Sequence, residues 1–158
     1  EAGLHVTIAQ ALPKGDRLDT IVRMGTEIGV CAFTLFPADR SVMKWDAAKV
    51  EDRLSRLRAV AREASEQSFR VVMPTVAFAP SLAPVMKGSN IVVLSEVEGI
   101  AGAEWAFSAP VTFVVGPEGG WSPKELEMIG DKGVSLGPRV LRTDTAGVAA
   151  AALALLGR

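Results

Sequence analysis

Short apolar runs alternate with segments of helical periodicity along the chain. Residues 4–12 alternate apolar and polar side chains, which predicts a β-strand. Residues 18–28 repeat apolar side chains every three or four positions, which predicts a helix with Asp16 as its N-cap and Gly29 at its end. Residues 31–36 are almost wholly apolar, a pattern typical of a strand buried in a parallel sheet.

The middle of the chain predicts one long helix, from about Asp46 to Ser68. Its apolar stripe follows steps of four and three residues: Val50, Leu54, Leu57, Ala61 and Ala64. Residues 70–74 and a stretch rich in Ala, Pro and Ser follow this helix. We expect a loop there as far as Gly88.

The second half of the chain repeats the alternation with shorter elements. It predicts buried strands over residues 91–94, 111–115 and 134–136, and a loop over residues 99–108. Strands and helices therefore alternate throughout, without an internal repeat or a dividing linker. This order predicts a single α/β domain whose mostly parallel sheet carries helices on both faces.

Two helix starts in the second half have recognisable caps. Ser122, Pro123 and Glu125 supply a cap, a proline at the first helical position and the partner of a capping box. Thr143 is the predicted cap of a final helix rich in Ala and Leu.

Composition narrows the chemistry. The chain has 158 residues, 49% of them apolar, which excludes an intrinsically disordered protein. One cysteine, Cys31, and one histidine, His5, exclude a zinc cluster of Cys and His ligands and weigh against a Ser-His-Asp triad. No run approaches the length of a membrane span.

Charge is unevenly distributed. The net charge is −1, yet residues 40–70 hold eight basic and five acidic side chains, a local excess of +3. Such a face could track a phosphate backbone, although a solvated helix face is the commoner outcome.

Three segments should meet beyond the carboxyl ends of the strands, where open parallel sheets bind ligands. They are residues 94–96, 116–120 and 136–143, of which 116–120 form a glycine loop. A tight turn before a helix is the alternative for that loop. No P-loop or dinucleotide fingerprint is present. Arg139 and Arg142 suit an anion, or they pair with surface carboxylates.

Four ordered motifs then carry a family resemblance. They are VVGPEGGWS at residues 114–122, LGPRVLRTDTA at 136–146, KGDR at 14–17 with TEIGV at 26–30, and RS at 40–41 with EASEQS at 63–68. Together they resemble the RsmE type of 16S rRNA uridine-N3 methyltransferases, within the SPOUT superfamily. Phe69 and Asp144 depart from that pattern, since relatives often have glycine and glutamate there.

The resemblance implies a fold, a cofactor and partners. The fold would be a SPOUT domain with a deep C-terminal trefoil knot, and the cofactor S-adenosylmethionine without a metal. The expected protein is a cytoplasmic homodimer that methylates N3 of uridine 1498 in the 16S rRNA of the small ribosomal subunit. Relatives carry an N-terminal PUA-like barrel for which this chain has no room, so we expect residues 1–158 to be the catalytic domain.

The resemblance also implies the residues of the site. The expected cofactor contacts are Leu94, Ser95, Gly116, Pro117, Glu118, Gly119, Leu136, Gly137, Leu141, Arg142, Thr143 and Ala146. The expected RNA contacts are Lys14, Arg40, Lys44 and Arg70.

Two residues have predicted catalytic roles. Glu118 is the candidate base for the N3 proton, as the one carboxylate within the glycine loop. Arg142 is the candidate for stabilising the uracil anion or its phosphate. Glu118 could instead cap the helix after Ser122 or bind a backbone amide. A catalytically inert RNA-binding module is the alternative function, and an oxidoreductase or phosphotransferase is a third.

Overall fold

The fold is built on one six-stranded sheet in which every strand pair is parallel. The computed structural model describes residues 3–95 and 110–156. Its strands are β1 (Val6–Ala11), β2 (Ala32–Phe36), β3 (Thr75–Phe78), β4 (Ile91–Leu94), β5 (Val111–Val115) and β6 (Gly133–Val134). They lie in the order β3-β2-β1-β5-β4-β6, so β1 and β5 occupy the centre.

Among the described residues, five helices cover the two faces of the sheet. They are α1 (Arg17–Ile28), α2 (Ala47–Gln67), α3 (Leu82–Met86), α4 (Pro123–Ile129) and α5 (Thr143–Leu156). Helices α1, α2 and α5 pack on one face, and α3 and α4 on the other. None of the helices in the described part of the chain is both long and apolar enough to cross a membrane.

The two hydrophobic cores follow from the alternation of side chains along the strands. In β1, Ile8 faces the core under α1, α2 and α5, whereas Ala9 faces the core under α3 and α4. In β5, Phe113 and Val114 divide in the same way. Burial on both faces explains the continuous apolar runs, and the predicted α/β fold class is confirmed. The knot stays a prediction.

The loop predicted after Pro74 as far as Gly88 is wrong in part, because this segment contains strand β3 and helix α3. Strand β3 is four residues long and buries only Val76 fully, and among the described strands it pairs with β2 alone. A short edge strand of this kind leaves little periodicity to detect. The last strand is also displaced: β6 begins at Gly133 and ends at Val134. Glu96 and the loop predicted at residues 99–108 lie outside the described residues.

The helix ends follow the sequence closely, with one exception at α1. Asp16 stands at the N-cap position, yet its side chain makes no capping hydrogen bond. Gly29 ends α1 with a φ of 107°, the left-handed conformation that glycine adopts easily. Ser122 and Glu125 form the complete capping box of α4.

The long helix α2 ends in a Schellman motif with a phenylalanine at the left-handed position. The amide of Arg70 donates to Ser65 O, and that of Phe69 donates to Glu66 O. Phe69 has a φ of 58° and is 93% exposed, so its ring contributes little packing. This conformation explains why a glycine suits the position.

We therefore expect Phe69→Gly to stabilise the protein. Relief of the left-handed conformation is worth about 1–2 kcal/mol, and the entropy of an added glycine offsets about 0.5–1 kcal/mol. The expected gain in the free energy of unfolding, measured with urea, is about 0.5–1 kcal/mol. Phe69→Ala is the matched control, because it removes the ring and keeps the strained Cβ. Equal stability of the two variants would contradict this account.

Candidate active site

A cavity of about 310 Å³ opens beyond the carboxyl ends of β4, β5 and β6. The segments after these strands and the first turn of α5 form its walls. Its lining residues are Arg40, Leu94, Ser95, Val115, Gly116, Pro117, Glu118, Gly120, Trp121, Leu126, Ser135, Leu136, Arg139, Leu141, Thr143 and Ala146. The three segments predicted to meet at this edge of the sheet therefore do so, apart from Glu96, which is not described.

The glycine loop after β5 folds its tryptophan back over its own start. A Cβ on Gly116 would lie 2.9 Å from Cε2 of Trp121, so only glycine leaves room for the indole. The indole stacks on Phe36, with parallel rings whose centroids are 6.3 Å apart. The loop is thus a wall of the cavity fixed from behind by an aromatic pair. The loop therefore lines a cavity and is more than a tight turn before a helix.

Thr143 connects the start of α5 to that loop. Its hydroxyl donates to Gly116 O at 2.9 Å and accepts from Gln10 Nε2 at 2.9 Å. The predicted role of Thr143 as a helix cap is wrong, because Thr143 is the first residue of α5 and its hydroxyl is engaged elsewhere. Gln10 is fully buried. The sequence gives one signal for it: an amide in an otherwise apolar strand end.

Most of the predicted cofactor residues surround this one cavity, and three do not line it. Gly119 packs against the loop that carries Arg40, where a Cβ would lie 3.2 Å from Arg40 Cβ. Gly137 forms an exposed turn with a φ of 129°. Arg142 is 67% exposed, and its Nε lies 3.4 Å from Asp144 Oδ1.

Of the two arginines in the turn before α5, the one placed at the cavity is Arg139. Arg142 instead follows the surface-pairing alternative through Asp144. Their spacing of three residues along an irregular turn does not reveal which of them points inward. The structure thus directs attention to Arg139 as a candidate anion contact.

Glu118 lies on the cavity wall and is also tied to the loop after β1. Its Oε1 accepts a hydrogen bond from the Lys14 amide at 3.0 Å and lies 3.7 Å from Arg17 Nη1. The same Arg17 atom lies 3.9 Å from Asp144 Oδ1. The backbone-amide alternative for Glu118 is therefore present in the structure.

The predicted RNA-contacting residues separate into two places. Arg40 lines the cavity, and its Nη1 donates to Gly119 O at 3.4 Å. Lys44 is on the same loop, with Nζ 3.4 Å from Ala38 O, and Lys14 is beside Glu118. Arg70 lies apart, because its guanidinium donates to Thr26 O and Val30 O at the end of α1.

Part of the basic excess over residues 40–70 is used within the fold. Arg56 donates to Asp19 at 2.7 Å, and this carboxylate raises the pKa of the Arg56 guanidinium above its ordinary value. Arg58 donates to Glu51 and to Val76 O. Among residues 3–95 and 110–156, no group of His, Cys, Asp or Glu side chains is arranged to hold a metal.

Known proteins are similar to this chain in sequence and in architecture. Residues 1–155 match the family described as RNA methyltransferase domain. The ribosomal RNA small subunit methyltransferase E of Mycobacterium bovis is 42% identical over 96% of the chain and 62% of its own length. The chain therefore spans less than two thirds of that relative.

Two solved structures are similar across the whole fold. The first is the ribosomal RNA small subunit methyltransferase E of Neisseria gonorrhoeae, bound to S-adenosylmethionine, which is 30% identical with a TM-score of 0.84. The match covers 96% of this chain and 65% of the length of that protein's chain. A Legionella pneumophila protein described as a methyltransferase, also in complex with S-adenosylmethionine, is 27% identical. Its TM-score is 0.91, and the match covers 99% of this chain and 68% of the length of the Legionella chain.

The resemblance carried by the four motifs is thus confirmed by matches in sequence and structure that span nearly the whole of this chain. The chain belongs to the RNA methyltransferase domain family.

Proposed function

We propose that this chain is the catalytic part of an S-adenosylmethionine-dependent methyltransferase that modifies N3 of a uridine in small-subunit rRNA. The observation that carries the proposal is the cavity beyond β4, β5 and β6, whose walls include residues of the two motifs at 114–122 and 136–146. The Mycobacterium bovis and Neisseria gonorrhoeae relatives are small-subunit rRNA methyltransferases, and two similar structures contain S-adenosylmethionine. Uridine 1498 is the expected target by family resemblance.

The cavity fits a nucleoside methyl donor. Its volume of about 310 Å³ is at the lower end of the range of small-molecule sites. Apolar contacts would come from Leu94, Leu136, Leu141 and Ala146, which all line it. Gly116 and Gly120 of the glycine loop also line the cavity, so the backbone can approach a bound nucleoside closely at these positions.

The chain's own residues then have to prepare the uracil. When bound, S-adenosylmethionine would supply a methyl group carried on a positively charged sulfur, and transfer of that methyl group to N3 would leave S-adenosylhomocysteine. N3 must lose its proton to become nucleophilic, and we propose that Glu118 accepts it. Trp121 and Leu141 line the cavity, where they would shield the bound uracil from water and help to orient it toward the methyl donor.

The arginines at the mouth provide the anion contacts. Arg142 has two predicted roles, and its exposure favours the contact with a phosphate over the contact with the uracil anion. Arg139 lines the cavity and is better placed for the developing negative charge.

RNA would approach the same mouth. Arg40, Lys44 and Lys14 lie on the two loops beside the glycine loop and are proposed to contact phosphates. Arg70 is a weaker candidate because its guanidinium holds the end of α1.

A homodimer, a cytoplasmic location and an additional RNA-binding barrel remain part of the proposal by family resemblance. Sedimentation would test the dimer.

A catalytically inert RNA-binding module is the second candidate function. Such a module would also use the basic residues at the cavity mouth, yet it would not need a cavity lined by the glycine loop. Calorimetry with S-adenosylmethionine separates the two functions, since saturable binding is expected only of the enzyme. Titration with NAD or ATP tests the oxidoreductase and phosphotransferase alternatives in the same way.

We expect Gly116→Ala to weaken S-adenosylmethionine binding, measured by calorimetry, by about tenfold or more. The added Cβ would displace the Trp121 indole from the cavity wall. Gly133→Ala is the matched control, because its Cβ would make an ordinary 3.5 Å contact with Ser95 Cβ. Equal affinities of the two variants would contradict the placement of the cofactor against this loop.

We expect Glu118→Gln to retain cofactor affinity and to lose methyl transfer. A glutamine oxygen can still accept from the Lys14 amide, so the tie survives while the base is removed. General-base catalysis is worth about 10²–10⁴-fold, and kcat measured with 16S rRNA lacking the modification should fall by that factor. Full methylation by this variant would exclude Glu118 as the base and leave the amide tie as its role.

A further inference from the structure

A clasp of hydrogen bonds joins the cavity loop to the loop that carries Arg40. Its members are Asp39, Ser122 and Glu125. The Asp39 amide donates to Glu125 Oε2 at 3.2 Å, and the Ser122 hydroxyl donates to Asp39 Oδ2. Asp39 lies on the loop between β2 and α2, 86 residues from Glu125 in sequence. The clasp is therefore a tertiary connection built on a helix cap.

Glu125 does more in this clasp than a capping box requires. One oxygen, Oε1, accepts from the Ser122 amide at 3.0 Å and completes the cap. The other oxygen is used for Asp39. Glu125 is 2% exposed, and charged side chains are rarely buried to this extent without partners. Both oxygens are needed, because each faces a backbone N–H.

The two sides of the clasp carry different parts of the site. On one side, Trp121 directly precedes Ser122 and lines the cavity. On the other, Arg40 directly follows Asp39 and lines the same cavity. The Arg40 loop is ordered internally, since the Ala38 amide donates to the buried Ser41 hydroxyl at 3.1 Å. Fixing Asp39 therefore fixes where Arg40 sits relative to the cavity.

We propose that Glu125 is a positioning residue that holds Arg40 at the cavity mouth for contact with the RNA substrate. This inference rests on the proposed function. Glu125 is shielded from the solvent and is absent from the cavity lining, so it acts through Asp39. The clasp couples the geometry of the cofactor loop to that of the RNA-contacting loop.

Glu125→Gln tests the proposal with almost no change in shape. A glutamine has one acceptor oxygen and one NH₂ group, so one of the two backbone N–H groups would face a donor. The capping bond is local, and we expect the bond to Asp39 to be the one lost. Glu127→Gln is the matched control, because Glu127 is an exposed residue of the same helix.

Asp39→Ala is the second variant, in case the first does not fold. Asp39 is exposed, and the change removes only its carboxylate contact with Ser122. We expect the same pattern as for Glu125→Gln with a smaller amplitude. Thermal unfolding shows which variants are folded at the assay temperature.

Four measurements distinguish positioning from a merely structural role. For Glu125→Gln, we expect the Kd for S-adenosylmethionine to stay within about threefold of wild type and the KM for unmodified 16S rRNA to rise about tenfold. The slope of log affinity for this rRNA against log salt should fall by about one, as for Arg40→Ala. The double variant Glu125→Gln/Arg40→Ala should be no weaker in RNA binding than Arg40→Ala alone.

The opposite results overturn the inference. Parallel loss of cofactor and RNA affinity would assign Glu125 to general stability. Additive effects in the double variant would show that it does not act through Arg40, and behaviour like Glu127→Gln would show no role. Failure of the wild-type protein to bind S-adenosylmethionine or methylate rRNA would instead refute the proposed function.

Discussion

A buried hydrogen-bond relay at the end of the central strand determines the geometry of the candidate active site. Gln10 donates to the Thr143 hydroxyl, which donates to the Gly116 carbonyl. A buried polar group without a partner costs about 1–3 kcal/mol, so each group constrains the position of the next. The relay sets the first turn of α5 against the glycine loop.

The rest of the site follows from this arrangement and from the parallel sheet. Because all strands run in one direction, the loops after β4, β5 and β6 meet at the same edge. Apolar side chains and backbone form most of the cavity lining, and its charged residues are Arg40, Arg139 and Glu118. This division suits the proposed reaction, which needs a water-poor centre for the base and a cationic mouth for the RNA backbone.

The sequence predicted those features that depend on local pattern. The buried strands β1, β2, β4 and β5, the long helix and the capping box of α4 all appear close to their expected positions. Strand β3 was missed, because a four-residue edge strand with one fully buried side chain has almost no periodicity.

The direction of individual polar side chains could not be predicted. The Thr143 hydroxyl turns to Gly116 rather than to the end of its helix, and Arg70 turns to the carbonyls of α1. The choice between Arg139 and Arg142, and the second bond of Glu125, likewise depend on contacts between segments far apart in sequence. The strand ends and the family motifs predicted which loops form the site, whereas the contacts of each side chain in them depend on the tertiary structure.

The central claim is that this cavity delivers a methyl group to N3 of a uridine in small-subunit rRNA. The most direct test is to incubate the protein with tritiated S-adenosylmethionine and 16S rRNA from cells lacking the modification, and then to map the label by nucleoside digestion and primer extension. Methylation at N3 removes a Watson–Crick donor, so the account predicts labelled 3-methyluridine and one new stop of the reverse transcriptase. Saturable cofactor binding with no label in the rRNA, or label on another atom or base, would contradict it.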